Sequence, residues 1–496
     1  MHPLLVRRLL LPLHERMMGR RTFAFRRELN RLQWRSPEEL RALQVRKLRS
    51  LFRLAAEHCD YYRGLFHAAG ADPADDDPFA MLSRLPLLDK AAIRANRERL
   101  TNPTVPGGVH TSTTGGSTGE PLVFHYDRRR TAYDKAARMH THEWFGVPPG
   151  EREVYLWGAP VEIRRQDRLR TARDRITNDL LLSAFDMSPP VMVRYLDRIW
   201  RFNPAAVFGY PSSVALLCEF GRSISRIVRP KRLRAVFVSG EVLDDGQREI
   251  ISDYFQVPVA DGYGSREGGF LSHECPAGRM HVMAPNVVME IVGPDGTPRP
   301  LGELGEIAIT HLDAHAMPMI RYRTEDVGRL LPGTCPCGRG LPLMDMVEGR
   351  RTDHLVAADG TLKHALSVIY VLRELDTVRR FHIRQGPRRE IDVRVVPGSR
   401  FADCDRRHIE SGVRRQLGQD ITMRVRLVNR IETQASGKYR YVTSEAVDHA
   451  RSGLDSGGPS VPSGSTSPEC NGGHSMTQMH TPEPRITATR VSTRAE

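Results

Sequence analysis

Between about residue 150 and residue 265 the chain alternates between short apolar runs and helical spacing, and this alternation restricts the fold more than any other feature. Val154-Tyr155-Leu156-Trp157, Ala205-Ala206-Val207-Phe208, Leu233-Arg234-Ala235-Val236-Phe237-Val238 and Val257-Pro258-Val259-Ala260 have the length and apolar content of buried strands. Helical stretches separate the last three: one runs to Phe220, and the next starts at Asp244, an N-capping residue, and runs through Phe255. Strand–helix–strand–helix–strand predicts a parallel sheet, because parallel neighbours need crossovers and cannot be joined by tight hairpins. Ligands of such sheets bind at the carboxyl ends of the strands. The residues at those ends are Gly209-Tyr210-Pro211, Ser239-Gly240-Glu241 and Asp261-Gly262-Tyr263-Gly264.

The flanks read differently. Residues from about 36 to 100 are helical in pattern, with Leu48, Leu51, Phe52 and Ala55 at helical spacing. From about 285 to 345, short β segments such as Val287-Val288-Met289-Glu290-Ile291-Val292 alternate with turn signals, which predicts a β-rich subdomain. Residues 350–446 read as a separate unit: a helix (Ala365 to Leu375), strands (Arg380 to Arg384, Ile391 to Val396), a helix (Cys404 to Leu417) and a last strand (Ile421 to Val428). Beyond about 450, Ser, Gly, Pro and Thr dominate without periodicity, so a disordered tail is expected.

Residues 1–35 form a basic amphipathic segment. Its first use is packing on the main domain, and its second is contact with an anionic membrane surface. No apolar run approaches the roughly 20 residues of a membrane-spanning helix. An odd count of seven cysteines without a secretory pattern points to a reducing cytoplasm. The net charge of +14 favours anionic partners. It does not favour nucleic acid, because no compact basic motif with interleaved aromatics accompanies it.

Thr113-Thr114-Gly115-Gly116-Ser117-Thr118-Gly119-Glu120-Pro121 concentrates hydroxyls and glycines. Such a loop is either a plain surface loop or an anion nest, in which successive N–H groups and hydroxyls meet phosphate oxygens. It lacks the Gly-Lys-Ser/Thr ending of a Walker loop. Four further segments carry chemistry. In Gly262-Tyr263-Gly264-Ser265-Arg266-Glu267-Gly268 an aromatic can stack on a purine and the carboxylate can hold a divalent cation; the plain alternative is a turn with Glu267 in an ion pair. In Tyr322-Arg323-Thr324-Glu325-Asp326 a carboxylate can accept two ribose hydroxyls; the plain alternative is a β-turn. Glu348-Gly349-Arg350-Arg351-Thr352-Asp353 lies at the expected domain junction, and Ser436-Gly437-Lys438-Tyr439-Arg440 places a lysine on a late loop.

In this order the five segments resemble the adenylate-forming superfamily, and most of all its phenylacetate–coenzyme A ligase branch with the capsule-biosynthesis members. Leu85-Pro86-Leu87-Leu88-Asp89-Lys90 and the stretch from Ala55 to Tyr62 also look like that branch, and the resemblance spans roughly residues 40–445. It implies an α/β fold: a large N-terminal domain with parallel α/β sheets and a β-rich subdomain (36–349), then a small mobile α+β domain (350–446). It also implies ATP-dependent activation of a carboxylic acid as an acyl-adenylate, then transfer to a thiol, coenzyme A by analogy. Thr114, Gly115, Gly116, Ser117, Thr118 and Gly119 would cradle the ATP phosphates. Tyr263 and Gly264 would lie against adenine, with Ser239, Gly240 and Glu241 lining the same pocket. Glu267 would bind Mg²⁺. Asp326 would hold the ribose hydroxyls with help from Arg350, Asp353 would be the hinge, and Lys438 would bridge the substrate carboxylate and the α-phosphate. Two departures stand out: Glu120 replaces a common lysine, and Ser265-Arg266 replaces a common Thr-Glu pair.

Trp157, Phe208, Tyr210 and Pro211 are candidate walls of the acyl pocket, or plain core. Cys275, His281, Cys335 and Cys337 make a Cys₃His set, a common tetrahedral zinc combination, with buried or free thiols as the alternative. Similar residues in the phenylacetate-ligase branch imply zinc, and four protein ligands imply a structural role. Two other acceptors stay open: a carrier-protein thiol, or an amine or hydroxyl in polysaccharide synthesis. A silent nucleotide-binding protein is the alternative outside enzymes. The acid and the oligomeric state are not legible.

Overall fold

The computed structural model describes residues 1–70, 72, 77–113, 122–157, 177–184, 187–345, 349–350, 354–359, 362–364, 368, 371–372, 375, 377–431 and 442–446. Two strands, β1 (His110–Thr113) and β2 (Val123–Tyr126), pair antiparallel and flank the hydroxyl-rich loop. The central element is a nine-stranded sheet. Its parallel part contains β3 (Glu153–Trp157), β4 (Asp179–Ser183), β5 (Ala206–Gly209), β6 (Ala235–Ser239) and β7 (Val259–Ser265), in the order β4-β3-β5-β6-β7.

The strands form where the apolar runs predict them because both faces are covered. Val236 and Val238 pack with Val207, Leu156 and the helices Pro189–Phe202, Pro211–Ser223 and Asp245–Phe255. Ala235 and Phe237, one residue out of phase, pack on the opposite side with Val147 and Ala260. Asp244 starts the helix Asp245–Phe255 with a capping box, its carboxylate accepting from the Gln247 N–H.

Beyond β7 the sheet turns antiparallel. Only Arg266, Glu267 and Gly268 separate β7 from β8 (Gly269–Glu274), too few for a crossover, so the chain returns as a hairpin. β9 (Met280–Val282), then β14 (Leu343–Met344) and β13 (Leu330–Leu331), extend this edge. Two expectations are corrected here. The segment Gly262-Tyr263-Gly264 is not a turn after a strand ending at Ala260, because β7 runs on to Ser265. The β-rich region after 285 is also not wholly separate, since β13 and β14 belong to the main sheet. The remainder is a second antiparallel sheet: β10 (Val287–Val292), β11 (Gly305–His311), β12 (Tyr322–Gly328) and β15 (Gly349–Arg350).

The last part of the chain has its own core, which includes Leu355, Phe381, Ile383, Val393, Ile409, Val413 and Val442. It contains a hairpin, β16 (His354–Val356) with β17 (Leu362–His364), and a sheet ordered β20-β19-β18-β21 under the helix Asp403–Leu417. Here β18 is Val378–Gln385, β19 Ile391–Pro397, β20 Met423–Leu427 and β21 Val442–Ser444. β21 adds parallel to β18, so the strand near 421–428 is not the last one. The expected helix from Ala365 to Leu375 falls mostly outside the described residues, and the tail beyond 450 wholly so.

The N-terminal segment packs on the main body. Val6 is fully buried, the Arg7 guanidinium donates to the Pro149 carbonyl at 3.1 Å, and buried Glu15 accepts from Lys135 Nζ at 2.8 Å. Among the described residues, no helix is long and apolar enough to cross a membrane.

Candidate active site and metal centre

The carboxyl ends of the parallel strands collect the expected residues in one row. Leu156 is in register with Gly209, Gly209 with Val238, and Ser239 with Gly262. The next residues along, Trp157 and Tyr210, are therefore level with Ser239 and Gly262, and Gly240 and Tyr263 follow one step further along β6 and β7. The Trp157 and Tyr210 rings stack with centroids 3.9 Å apart and planes 20° from parallel, and Phe208 lies 5.2 Å from Trp157. Gly240 fits beneath that stack: its φ is +84°, and a Cβ there would come within 3.0 Å of Trp157 and 3.1 Å of Tyr210. Glu241 turns back and accepts from the Ser212 N–H at 3.2 Å, one of the unpaired donors that open the helix Pro211–Ser223.

The second wall comes from the antiparallel sheet. In β12, Thr324, Glu325 and Asp326 all stand opposite Ile307, a bulge with Glu325 at φ +65°. Bulges re-aim side chains. The Tyr263 hydroxyl donates to Asp326 Oδ2 at 2.8 Å, which bonds the aromatic of one sheet to the carboxylate of the other. The Asp326 N–H is itself held by Thr324 Oγ1 at 3.1 Å. The plain reading of this segment as a β-turn is thereby corrected.

Glu267 is buried in the β7–β8 turn, and the Tyr322 hydroxyl donates to its Oε1 at 2.9 Å. Burial, then the neighbouring Glu267 charge, pushes the Tyr322 phenol far above its ordinary range, so it remains a neutral donor. Glu267 makes no ion pair among the described residues, which removes the plain reading of that residue. Among the described residues, the only side-chain hydrogen bond to this buried carboxylate comes from a phenol. That suits Mg²⁺, which takes one or two carboxylates and completes its shell with water and phosphate oxygens.

Sequence reasoning missed the supports. Arg266 Nη1 donates to the Thr113 carbonyl at 2.9 Å, joining the tyrosine segment to the strand that enters the hydroxyl-rich loop. Arg130 donates to the Arg266 carbonyl. The stretch Leu85–Lys90 has a mechanical role: Leu88 exchanges main-chain bonds of 2.9 Å with Arg321 and Arg323, and Lys90 pairs with Glu325 at the bulge. Arg321, buried at φ +52°, donates to Glu290 and to the carbonyls of Ser83, Leu85 and Gly296. Nothing local in the sequence distinguishes these arginines from surface ones.

Thr114, Gly115, Gly116, Ser117, Thr118 and Gly119, with Glu120, lie outside the described residues, as do Asp353 and Lys438. Arg350 is described by its backbone alone: it pairs with Asp326 across β12 and β15.

The metal set converges as expected. Cys275 follows β8, His281 is in β9, and Cys335 and Cys337 are in the turn between β13 and β14. Their four ligand atoms lie within 4.8 Å of one another, with Cys275 Sγ to Cys335 Sγ at 3.6 Å and Cys337 Sγ to His281 Nε2 at 3.3 Å. Zinc bonds of about 2.3 Å to sulfur and about 2.0 Å to nitrogen put tetrahedral ligands roughly 3.3–3.8 Å apart, so the set fits zinc. His281 Nδ1 lies 3.2 Å from the Leu341 carbonyl, which orients Nε2 toward the thiols, and burial lowers the ring to about 4, the neutral form a metal needs.

Residues 355–445 match the family model described as the CapK C-terminal domain. The phenylacetate-coenzyme A ligase of Thermus thermophilus is 28% identical over 335 residues, 64% of this chain and 72% of that protein. Protein CapK of Staphylococcus aureus is 22% identical over 445 residues, 86% of this chain and 93% of that protein. Along most of its length the chain is similar to phenylacetate–coenzyme A ligases and to protein CapK. The fold agrees: a crystal structure of 2-hydroxyisobutyryl-CoA ligase in the postadenylation state, in complex with 2-HIB-AMP, superimposes with a TM-score of 0.67 at 21% identity, covering 86% of this chain and 93% of that one. The ends of β3, β5, β6 and β7, with Trp157, Tyr210, Gly240 and Tyr263, form one side of a sheet-end crevice, and β12 supplies its second wall.

Proposed function

We propose that this protein activates a carboxylic acid with ATP as an acyl-adenylate and passes the acyl group to a thiol, coenzyme A. The observation that carries the reading is the Tyr263–Asp326 bond, which joins the aromatic that would stack on the purine to the carboxylate that would accept the ribose hydroxyls. The hydroxyl-rich loop at 114–119 would take the phosphates, and Ser239, Gly240 and Glu241 would line the adenine side with Gly264. Trp157 and Tyr210 would form an apolar wall for the acyl group. Arg350 would assist Asp326 at the ribose, and Asp353 would serve as the hinge.

Joining a carboxylate to a phosphate opposes two negative charges. Glu267 would hold Mg²⁺, which supplies charge neutralisation at the phosphates when bound. Lys438 would place its ammonium between the carboxylate and the α-phosphate, where charge develops; losing one such preorganised donor typically costs about 2.7–4 kcal/mol of transition-state stabilisation. The carboxylate oxygen attacks the α-phosphorus, pyrophosphate leaves, and the thiolate sulfur then attacks the acyl carbon and releases AMP. The Cys₃His set would hold a structural zinc.

The test is ATP–pyrophosphate exchange with a panel of carboxylic acids, followed by thioester detection with coenzyme A. Acid-dependent exchange is expected; its absence across the panel overturns the reading. Exchange without thioester formation moves the acceptor to a carrier protein or to a sugar amine or hydroxyl. Lys438→Ala should abolish exchange while sparing transfer from a preformed adenylate, and equal loss of both half-reactions would sink the two-orientation scheme.

A further inference from the structure

The first helix of the chain shows one face to the body and a different chemistry to solvent. It runs without a break through Pro3–Leu5, a π turn Val6–Leu10 and Leu11–Met17. The π turn closes with the Leu11 N–H on the Val6 carbonyl, a five-residue spacing. That extra residue resets the phase of the helix. Pro3, Val6, Leu11 and Glu15 therefore all face the body and are buried.

The opposite face carries Leu4, Leu5, Leu9, Leu13 and Met17, exposed by 48%, 47%, 55%, 51% and 78%. Five large apolar side chains in one row are unlike the scattered exposed leucines of an ordinary surface. The polar residues around them share one sign. Arg8, Arg16 and Arg21 are exposed, whereas Glu15 is the only carboxylate in residues 1–21 and is buried against Lys135 and the Thr22 hydroxyl. An apolar stripe edged with guanidinium groups and free of exposed acid complements a surface that is apolar within and anionic at its rim. The helix is too short and too charged to span a bilayer. The body holds it through the Arg7 bond to the Pro149 carbonyl and an ion pair of Arg7 with Glu151 at 3.6 Å, so the stripe is ordered before any partner arrives.

We propose that the helix Pro3–Met17 docks this protein flat on an anionic lipid bilayer, with Leu4, Leu5, Leu9, Leu13 and Met17 entering the interface and Arg8, Arg16 and Arg21 meeting lipid phosphates. This docking is independent of which acid is activated. It would place the enzyme where a membrane-borne substrate or acceptor is presented.

The purified full chain is sedimented with phosphatidylcholine vesicles and with vesicles in which about one lipid in three is phosphatidylglycerol. Binding to the anionic vesicles is expected, with little to the neutral ones. Leu9→Ser/Leu13→Ser keeps every charge and should weaken binding by at least about tenfold, because two leucines no longer leave water. Arg8→Glu/Arg16→Glu should do the same. All four side chains are exposed, so the melting temperature should hold. A Leu9→Trp variant should shift its emission to the blue on anionic vesicles. Wild-type-like binding of the leucine double variant would show that the overall charge of +14 acts alone, and would overturn the proposal. So would failure of the wild type to bind, or a dimer in solution that the leucine variant abolishes, which would make this face a contact between copies of the chain.

Discussion

The two halves of the central sheet use the same strand geometry for opposite ends. The parallel half, β3 to β7, is covered on both faces and gathers Trp157, Tyr210, Gly240 and Tyr263 at its strand ends. The antiparallel half ends in the two-residue and three-residue strands β13, β14 and β9. Strands that short cannot hold an edge by hydrogen bonds alone, and there the sulfur and imidazole ligands cluster. The difference teaches that burial determines where chemistry is available. A fully packed region can devote its termini to substrate, while a thin edge must commit its polar groups to itself.

If so, the two halves separate activity from stability. Glu267→Gln should lower the exchange rate by about 100- to 1,000-fold, because a preorganised charge is lost, with a melting temperature near the wild-type value. A large fall in stability with it would erase the distinction. On the other side, Cys335→Ser should release zinc and lower the melting temperature by about 5 °C or more, with activity per folded molecule retained. Freshly purified wild type without zinc would remove the metal centre altogether.

Gly240→Ala tests the crevice more finely. The strained φ and the displaced Trp157–Tyr210 stack should cost about 1–3 kcal/mol and raise KM for the acid more than KM for ATP. An equal rise in both would take the aromatic pair out of the acyl wall.

The seam between the halves gives a pH test. Asp261 in β7 is raised to about 7 by burial and by neighbouring Glu274, and its Oδ1 has no hydrogen-bond partner among the described residues. The folded state therefore binds this proton more tightly than the unfolded one. The stabilising contribution is full below the unfolded carboxylate range near 3.8 and is lost as pH rises through about 7. The wild type should lose stability between pH 5 and pH 8 at up to about 1.4 kcal/mol per unit, and Asp261→Asn should flatten that slope. Parallel slopes for the two proteins would remove the assignment.

Much of this arrangement was legible. The apolar runs found β3, β5 and β6 because buried strands have little other use for such sequences, and Asp244 marked its helix through capping. Tyr263, Glu267 and Asp326 were legible as motif members. The bond between Tyr263 and Asp326 was not, because it needs a β12 bulge that no local pattern announces. The end of β7 was misread for a related reason: glycines read as a turn, yet strand pairing with β8 carries them. Tyr322 was in view inside its segment, but its service to Glu267 depends on two sheets meeting.

Arg321 ties these threads together. Because one inward-facing cation clasps three main-chain oxygens from distant stretches, the stretch before β1 and the bulged strand behave as a single lever. The helix end near Ser83 and Leu85 is thereby fastened to the residue just ahead of the strand that carries Asp326.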